Sequence, residues 1–267
     1  MSTTAVRYGP RPPEERVDHE IDATTAPIAT EAVTIAYLTD PEIVAAVLPK
    51  PLEPAAEPLV RIQLQRVQLA GRPPFGSAVF SVAARHGDID GDYPLFMPQS
   101  TEQSVTGGRE TFGEPKKLAH IEVERDGANI SAGVQRLGHH LIQVNGRVTG
   151  PGELPPDQVN IEFYFKFLRA PDGSGITDPH LVYGEYHRHY ESLEIVDGTC
   201  ELGESPLDPV ADIVIRELRS ITWCRRRTVQ VGRIAQRVPQ EWLLPYVHQR
   251  YDDVALLAAP TPESARR

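Results

Sequence analysis

Two lysines stand side by side at Lys116 and Lys117, closing the run Gly108-Arg109-Glu110, Gly113-Glu114-Pro115-Lys116-Lys117. Adjacent amines raise each other's cost of protonation, and an apolar interior penalises the charged form further. Such a lysine gives up its proton below the ordinary value of about 10.4. A neutral amine attacks a ketone or keto acid to give an imine, an electron sink for breaking a neighbouring C–C or C–H bond. Of 27 basic side chains only four are lysines, namely Lys50, Lys116, Lys117 and Lys166. A preference for arginine codons explains most of that ratio. A guanidinium nevertheless stays charged and cannot replace an attacking amine, so the surviving pair is the first candidate. Pro115 fixes the chain just before it, and Gly113 permits a turn or a close approach. From the dipeptide alone, an exposed Lys-Lys at the start of a strand is the commoner meaning.

Other constellations carry less chemistry. His187-Arg188-His189 puts two imidazoles on one strand face, but no third ligand follows at metal-site spacing, so a solvated or hydrogen-bonded pair is expected and no metal. His139 and His140 point to opposite faces. His120 shares a face with Leu118 and is a proton shuttle only if it reaches a pocket; packing is its default. Arg225-Arg226-Arg227 reads as a solvated edge or an oligomer contact. Tyr183, Tyr186 and Tyr190 either line a pocket or bridge a barrel wall to solvent. Cys200 and Cys224 are too few for a disulfide framework or a Cys-rich zinc site and read as reduced core thiols.

These groups must be held by a protein built mostly of short strands. The 20 glycines and 25 prolines suit many turns and exclude a helical bundle. Alternation of apolar and polar residues predicts strands over 32–37, 59–67, 78–85, 93–97, 117–124, 128–137, 140–148, 160–168, 181–190 and 193–202. Helices are expected after Thr39-Asp40-Pro41 and over Asp208–Leu218. Residues 219–251 alternate strand-like and helix-like stretches. The fold class that follows is mainly β (α+β), a closed antiparallel β-barrel with a few peripheral helices. An extended N-terminal arm is expected over 1–30, a single domain over 31–255, and a disordered tail over 256–267.

Composition narrows the partners. A net charge of −10 argues against a general nucleic-acid binder. No apolar stretch approaches the length of a membrane span, and the N-terminus lacks the apolar region of a secretory signal, so a cytoplasmic protein is expected.

The lysine segment, Gly108-Arg109-Glu110 through Pro115-Lys116-Lys117-Leu118-Ala119, resembles the signature of the acetoacetate decarboxylase family. The likeness extends to Tyr37-Leu38-Thr39-Asp40, Leu48-Pro49-Lys50-Pro51-Leu52-Glu53, Leu59-Val60-Arg61 and Gly91-Asp92-Tyr93, and later to Ser205-Pro206-Leu207-Asp208-Pro209 with Ile213-Val214. The resemblance implies that Lys116 forms the imine and that Lys117 lowers its pKa, which is that family's known activation rather than something the spacing shows. It further implies a small-molecule keto acid substrate, no cofactor, and a homo-oligomer. Substrate-binding roles fall on Gln63, Ser77, Arg109 and Glu110. Three positions depart from the family pattern. Gln63 and Ser77 stand where the decarboxylases carry glutamates, and about Thr30 they carry an arginine. Both lysines are kept while three polar pocket groups differ, so the resemblance supports imine formation more firmly than turnover of acetoacetate. Decarboxylation of a β-keto acid of acetoacetate type or bulkier is the first expectation. Aldolase-dehydratase or cyclase chemistry on a pyruvate-type 2-keto acid, and a non-catalytic binding barrel, are the alternatives.

Overall fold

The computed structural model describes residues 8–10, 27–253 and 256. Most of the expected arm over 1–30 and of the tail over 256–267 lies outside these residues, but residues 28–30 already belong to the first strand. Among the described residues there are twelve strands and four short α-helices. The first half runs β1 (Ile28–Leu38), α1 (Pro41–Val47), β2 (Glu53–Pro54), β3 (Leu59–Gln68), β4 (Phe75–His86), β5 (Ile89–Gln99) and α2 (Glu102–Thr111). The second runs β6 (Lys116–Leu118), β7 (His120–Asp126), β8 (Asn129–Arg136), β9 (His139–Pro151), β10 (Gln158–Arg169), β11 (Ile176–Leu202), β12 (Glu217–Arg237), α3 (Gln240–Leu243) and α4 (Val247–Arg250).

The strands form one sheet that closes on itself. Its order is β10-β5-β4-β3-β1-β12-β11, and β11 returns to pair with β10. Six of the seven ring contacts are antiparallel. The seventh, β10 to β5, is parallel and centred on Glu162 opposite Asp92. Strands β9, β8 and β7 continue the sheet as a flank on the far half of β11, from Glu194 onward. Alternation drives the inward face: Val33, Ile35 and Tyr37 of β1 are fully buried, and so are Ile62 and Leu64 of β3. Phe80, Phe163 and Leu181 complete that core from facing strands. Among the described residues, no helix is long and apolar enough to cross a membrane.

Several boundaries differ from expectation. The helix expected over Asp208–Leu218 is a single 3₁₀ turn at Val210–Asp212. Val210 and Ile213 mimic a helical stripe because both plug the core, and Glu217 and Leu218 are drawn into pairing with β1. The strands expected over 181–190 and 193–202 are one strand, since Glu191 is absorbed as a bulge against β12. The segment expected as 117–124 breaks into β6 and β7 at Ala119. Helix α2 has no sequence-level signal beyond its cap, where Thr101 Oγ1 accepts from Ser104 N.

Candidate active site

Strand β6 is three residues long and runs parallel to the end of β5, with Met97 opposite Lys116 and Pro98 opposite Lys117. Successive side chains on a strand leave opposite faces, so the two lysines part. Lys116 Nζ lies 2.7 Å from Glu114 Oε2, and these side chains are 14% and 1% exposed. Both line a cavity inside the ring. Among the described residues Lys116 is the one lysine there.

Two glycines make this placement possible. A Cβ on Gly108 would stand 1.9 Å from Glu114 Oε2 and 2.5 Å from Lys116 Nζ. Gly113 has φ +84°, and a Cβ there would approach Lys166 Cα to 2.6 Å. The side chain that Gly108 lacks is the space that Lys116 and Glu114 occupy, and the one that Gly113 lacks is where the Lys166 backbone comes in.

Lys117 takes the other direction. Its Nζ sits 2.7 Å from Asp208 Oδ1 and 2.9 Å from Asp252 Oδ1, and Arg136 binds the same two carboxylates. Burial pushes the Asp252 carboxyl up, but hydrogen bonds from Arg136 and Lys117 outweigh that and hold it below the usual range. The amine borders a separate, mostly apolar cavity beside Phe96, Leu207 and Ile213. The two amines therefore border different cavities, because a strand alternates.

Gln63 and Ser77 are brought to the Lys116 cavity, and Thr30 with them, so all three departures from the family pattern meet in one pocket. Gln99 Nε2 donates to Ser77 Oγ at 2.9 Å, and Ser104 Oγ donates to Gln99 Oε1 at 2.8 Å. Arg109 and Glu110 are not brought there. Arg109 Nη1 donates to the carbonyl oxygens of Lys116 and Arg250 at 3.0 and 3.1 Å, and its guanidinium stacks on Tyr251 at 5.0 Å. It clamps backbone and does not face the cavity. Glu110 lies exposed on α2. His120 pairs with Glu122 at the surface, and His189 with Asp157.

The remaining wall includes Tyr186, one of the three tyrosines offered as pocket-lining or wall-bridging, with residues the sequence did not single out as site groups. Tyr186 donates to Glu114 Oε1 at 3.1 Å, and its hydroxyl meets that of Tyr164 at 2.6 Å. Tyr164 in turn donates to Glu162 Oε2, whose other oxygen lies 3.4 Å from Arg188 Nη2. Gln230 Nε2 donates to both Glu114 and Tyr186 at 3.0 Å. A string of polar groups thus runs from Lys116 through Glu114, Tyr186 and Tyr164 to Glu162. Burial, only partly offset by Arg188, pushes Glu162 up to about 7. Burial and the neighbouring carboxylates push both tyrosines well above their ordinary value, so they remain hydroxyl donors at neutral pH.

Two of these residues were hidden inside motifs given other meanings. In His187-Arg188-His189 the flanking histidines are exposed while Arg188 turns inward, and in Arg225-Arg226-Arg227 the outer two are exposed while Arg226 is buried against the cavity. Strand alternation, applied to the middle residue of each triplet, is the signal that would have found them.

The family model described as acetoacetate decarboxylase matches residues 7–238. The chain is 28% identical over 195 residues to an acetoacetate decarboxylase of Burkholderia vietnamiensis (strain G4 / LMG 22486), covering 70% of this chain and 78% of that one. It is 39% identical over 99 residues to acetoacetate decarboxylase 1 of Bradyrhizobium diazoefficiens, covering 36% and 39%. A crystal structure of acetoacetate decarboxylase from Legionella pneumophila superposes with a TM-score of 0.70 at 20% identity, covering 80% of this chain and 88% of that one. The enduracididine biosynthesis enzyme MppR, complexed with the condensation product of pyruvate and imidazole 4-carboxaldehyde, superposes with a TM-score of 0.67 at 16% identity, covering 79% and 90%.

Proposed function

The chain belongs to the acetoacetate decarboxylase family, and on that premise we propose that it is an imine-forming lyase acting on a keto acid, with Lys116 as nucleophile. One observation carries the reading. The single lysine in the cavity is largely withdrawn from solvent, and Glu114 stands beside it to exchange a proton. The neutral amine attacks the substrate carbonyl, the oxygen leaves as water, and a protonated imine remains. For a β-keto acid, the bond from Cα to the carboxylate then breaks. Its electron pair moves into the imine, carbon dioxide departs, and an enamine is left. One proton added at carbon and one water added at the imine carbon release the ketone and restore the amine, so the net reaction consumes one proton per carbon dioxide. The string from Glu114 to Glu162 supports this, because it offers protonated groups at the cavity wall.

Gln63 and Ser77 leave the pocket with two fewer carboxylates than the family pattern, and Ser77 leaves more room. A β-keto acid bulkier than acetoacetate is the preferred substrate on this reading. Aldol-type chemistry on a pyruvate-type 2-keto acid is the second reading. It is favoured by the acid–base string, which such a reaction needs at the carbinol, and MppR has been captured with pyruvate and with a pyruvate condensation product.

Borohydride reduction in the presence of a panel of keto acids, followed by intact mass and peptide mapping, tests the proposal. The adduct is expected on Lys116 and not on Lys50 or Lys166. Absence of an adduct with every ketone, or its placement elsewhere, overturns the reading. Carbon dioxide release from β-keto acids, set against aldehyde consumption with pyruvate, then decides between the two reactions.

A further inference from the structure

Arg226 is a buried cation whose hydrogen-bond partners are neutral. It is 4% exposed. Its Nη2 donates to Gln63 Oε1 at 2.6 Å and to Gln65 Oε1 at 3.0 Å, and its Nη1 lies 3.7 Å from Cys224 Sγ. The Tyr190 ring lies 5.9 Å from its guanidinium carbon. Among the described residues no carboxylate stands within ion-pair distance of it, and its Nε has no hydrogen-bond partner. Arg188, on the same cavity wall, also has an unpartnered buried Nε. Its one carboxylate is Glu162 at 3.4 Å, a group that burial leaves part-protonated near neutral pH. Burial, and then the charge of Arg188, push Arg226 below its ordinary value. A buried charge without a counter-charge is costly, and proteins keep one where a ligand completes it.

We propose that Arg226, with Arg188 beside it, is the subsite for a carboxylate that the substrate keeps through the reaction. Which bond breaks rests on the imine reading above; the anion site itself does not. A carboxylate destined to leave as carbon dioxide loses its charge in the transition state, so an arginine holding it would favour the ground state and slow the reaction. The carboxylate held by arginine is therefore the one retained. The substrate is a keto acid with an anionic group besides the reacting bond, either a keto dicarboxylate or a 2-keto acid whose carboxylate stays in the product. Gln63 is what frees the site. Its amide oxygen already touches Arg226, so a glutamate at that position would neutralise the guanidinium from within and leave nothing for the substrate.

Two measurements on the full chain test the subsite. The first is calorimetric titration with glutarate, a dicarboxylate that has no ketone and forms no imine. Wild type is expected to bind it, Arg226→Gln to bind at least about tenfold more weakly, and Arg226→Lys to recover part of the loss. Gln63→Glu, which keeps the arginine, is expected to weaken binding to a similar degree and guards against a folding defect in Arg226→Gln. The second is borohydride trapping with 3-oxoglutarate, pyruvate and acetone, read as the ratio of half-trapping concentrations. Wild type should favour the keto acids over acetone, with the better acid naming the substrate class, and Arg226→Gln should collapse that ratio. Glutarate affinity and trapping ratios indifferent to both substitutions overturn the subsite even if Lys116 is trapped. Arg226-dependent glutarate binding with no ketone trapped leaves the subsite standing and removes the imine reading instead.

Discussion

Glu162 binds its proton more tightly in the folded protein than an exposed glutamate does, because burial outweighs the nearby Arg188 charge and the Tyr164 hydroxyl. The groups facing it are Arg188, Tyr164, Asp92 and Glu114. A carboxyl raised from about 4.3 in the unfolded chain to about 7 in the fold stabilises the protein fully below about pH 4, and that contribution is lost as pH rises through about 7. Glu162→Gln should therefore flatten the pH dependence of unfolding free energy across this window, measured by urea titration at several pH values. It should also remove an inflection near 7 from the profile of kcat/KM with the trapped keto acid; an inflection that survives would assign it to another group. Gly108 sets a second test. The Cβ of Gly108→Ala would stand 1.9 Å from Glu114 Oε2, so the ion pair must move. The cost should be about 1–3 kcal/mol of stability and about tenfold or more in the trapping rate at Lys116, and a variant that matches wild type in both would mean that the pair moves freely.

At the scale of elements, β6 is held from both faces, by Lys116 with Glu114 on one side and by Lys117 with Asp208 and Asp252 on the other. Asp208 is 2% and Lys117 6% exposed, so removing the amine leaves Arg136 as the one cation shared by two carboxylates. Lys117→Met should cost about 3 kcal/mol, seen as a lower urea midpoint. An unchanged midpoint with slower trapping would restore the view of Lys117 as a purely electrostatic partner. The fold was legible where alternation was strong, as in β1, β3 and the β8–β9 hairpin, and at α1, where Pro41 opens the helix. It was not legible where tertiary packing borrowed another element's pattern, as Val210 and Ile213 did. Helix α2, with two glycines and no apolar stripe, offered nothing to read. Of the site, Lys116, Gln63 and Ser77 could be picked out because they lie in or near a recognisable segment. Glu162 could not, since only closure of the ring brings β10 against β6; Glu114 stood in the same segment without being singled out, and Arg188 and Arg226 needed alternation applied to the middle of each triplet.

For the whole molecule, that closure depends on the parallel contact between β5 and β10. Gly91 sits at the seam, where a Cβ would meet Ile161 O at 2.6 Å and the Phe163 ring at 2.9 Å. Gly91→Val should push the strands apart at a cost of about 2 kcal/mol. Amide hydrogen exchange should quicken selectively in β5 and β10, and a uniform loss of protection would argue that the seam has no separate role.

The ring also joins the first strand to the last, with Ile28 of β1 opposite Thr228 of β12. On a ribosome, Lys116 emerges well before Arg226, Thr228 and Gln230, which supply the opposing wall. At ordinary elongation rates that gap is on the order of ten seconds. Throughout it β1 has one free edge awaiting its neighbour, and the edge is a template for pairing with other nascent chains. The growing polypeptide thus carries its cavity lysine before the cavity exists. Synthesis of β12 completes the sheet ring and the cavity wall together.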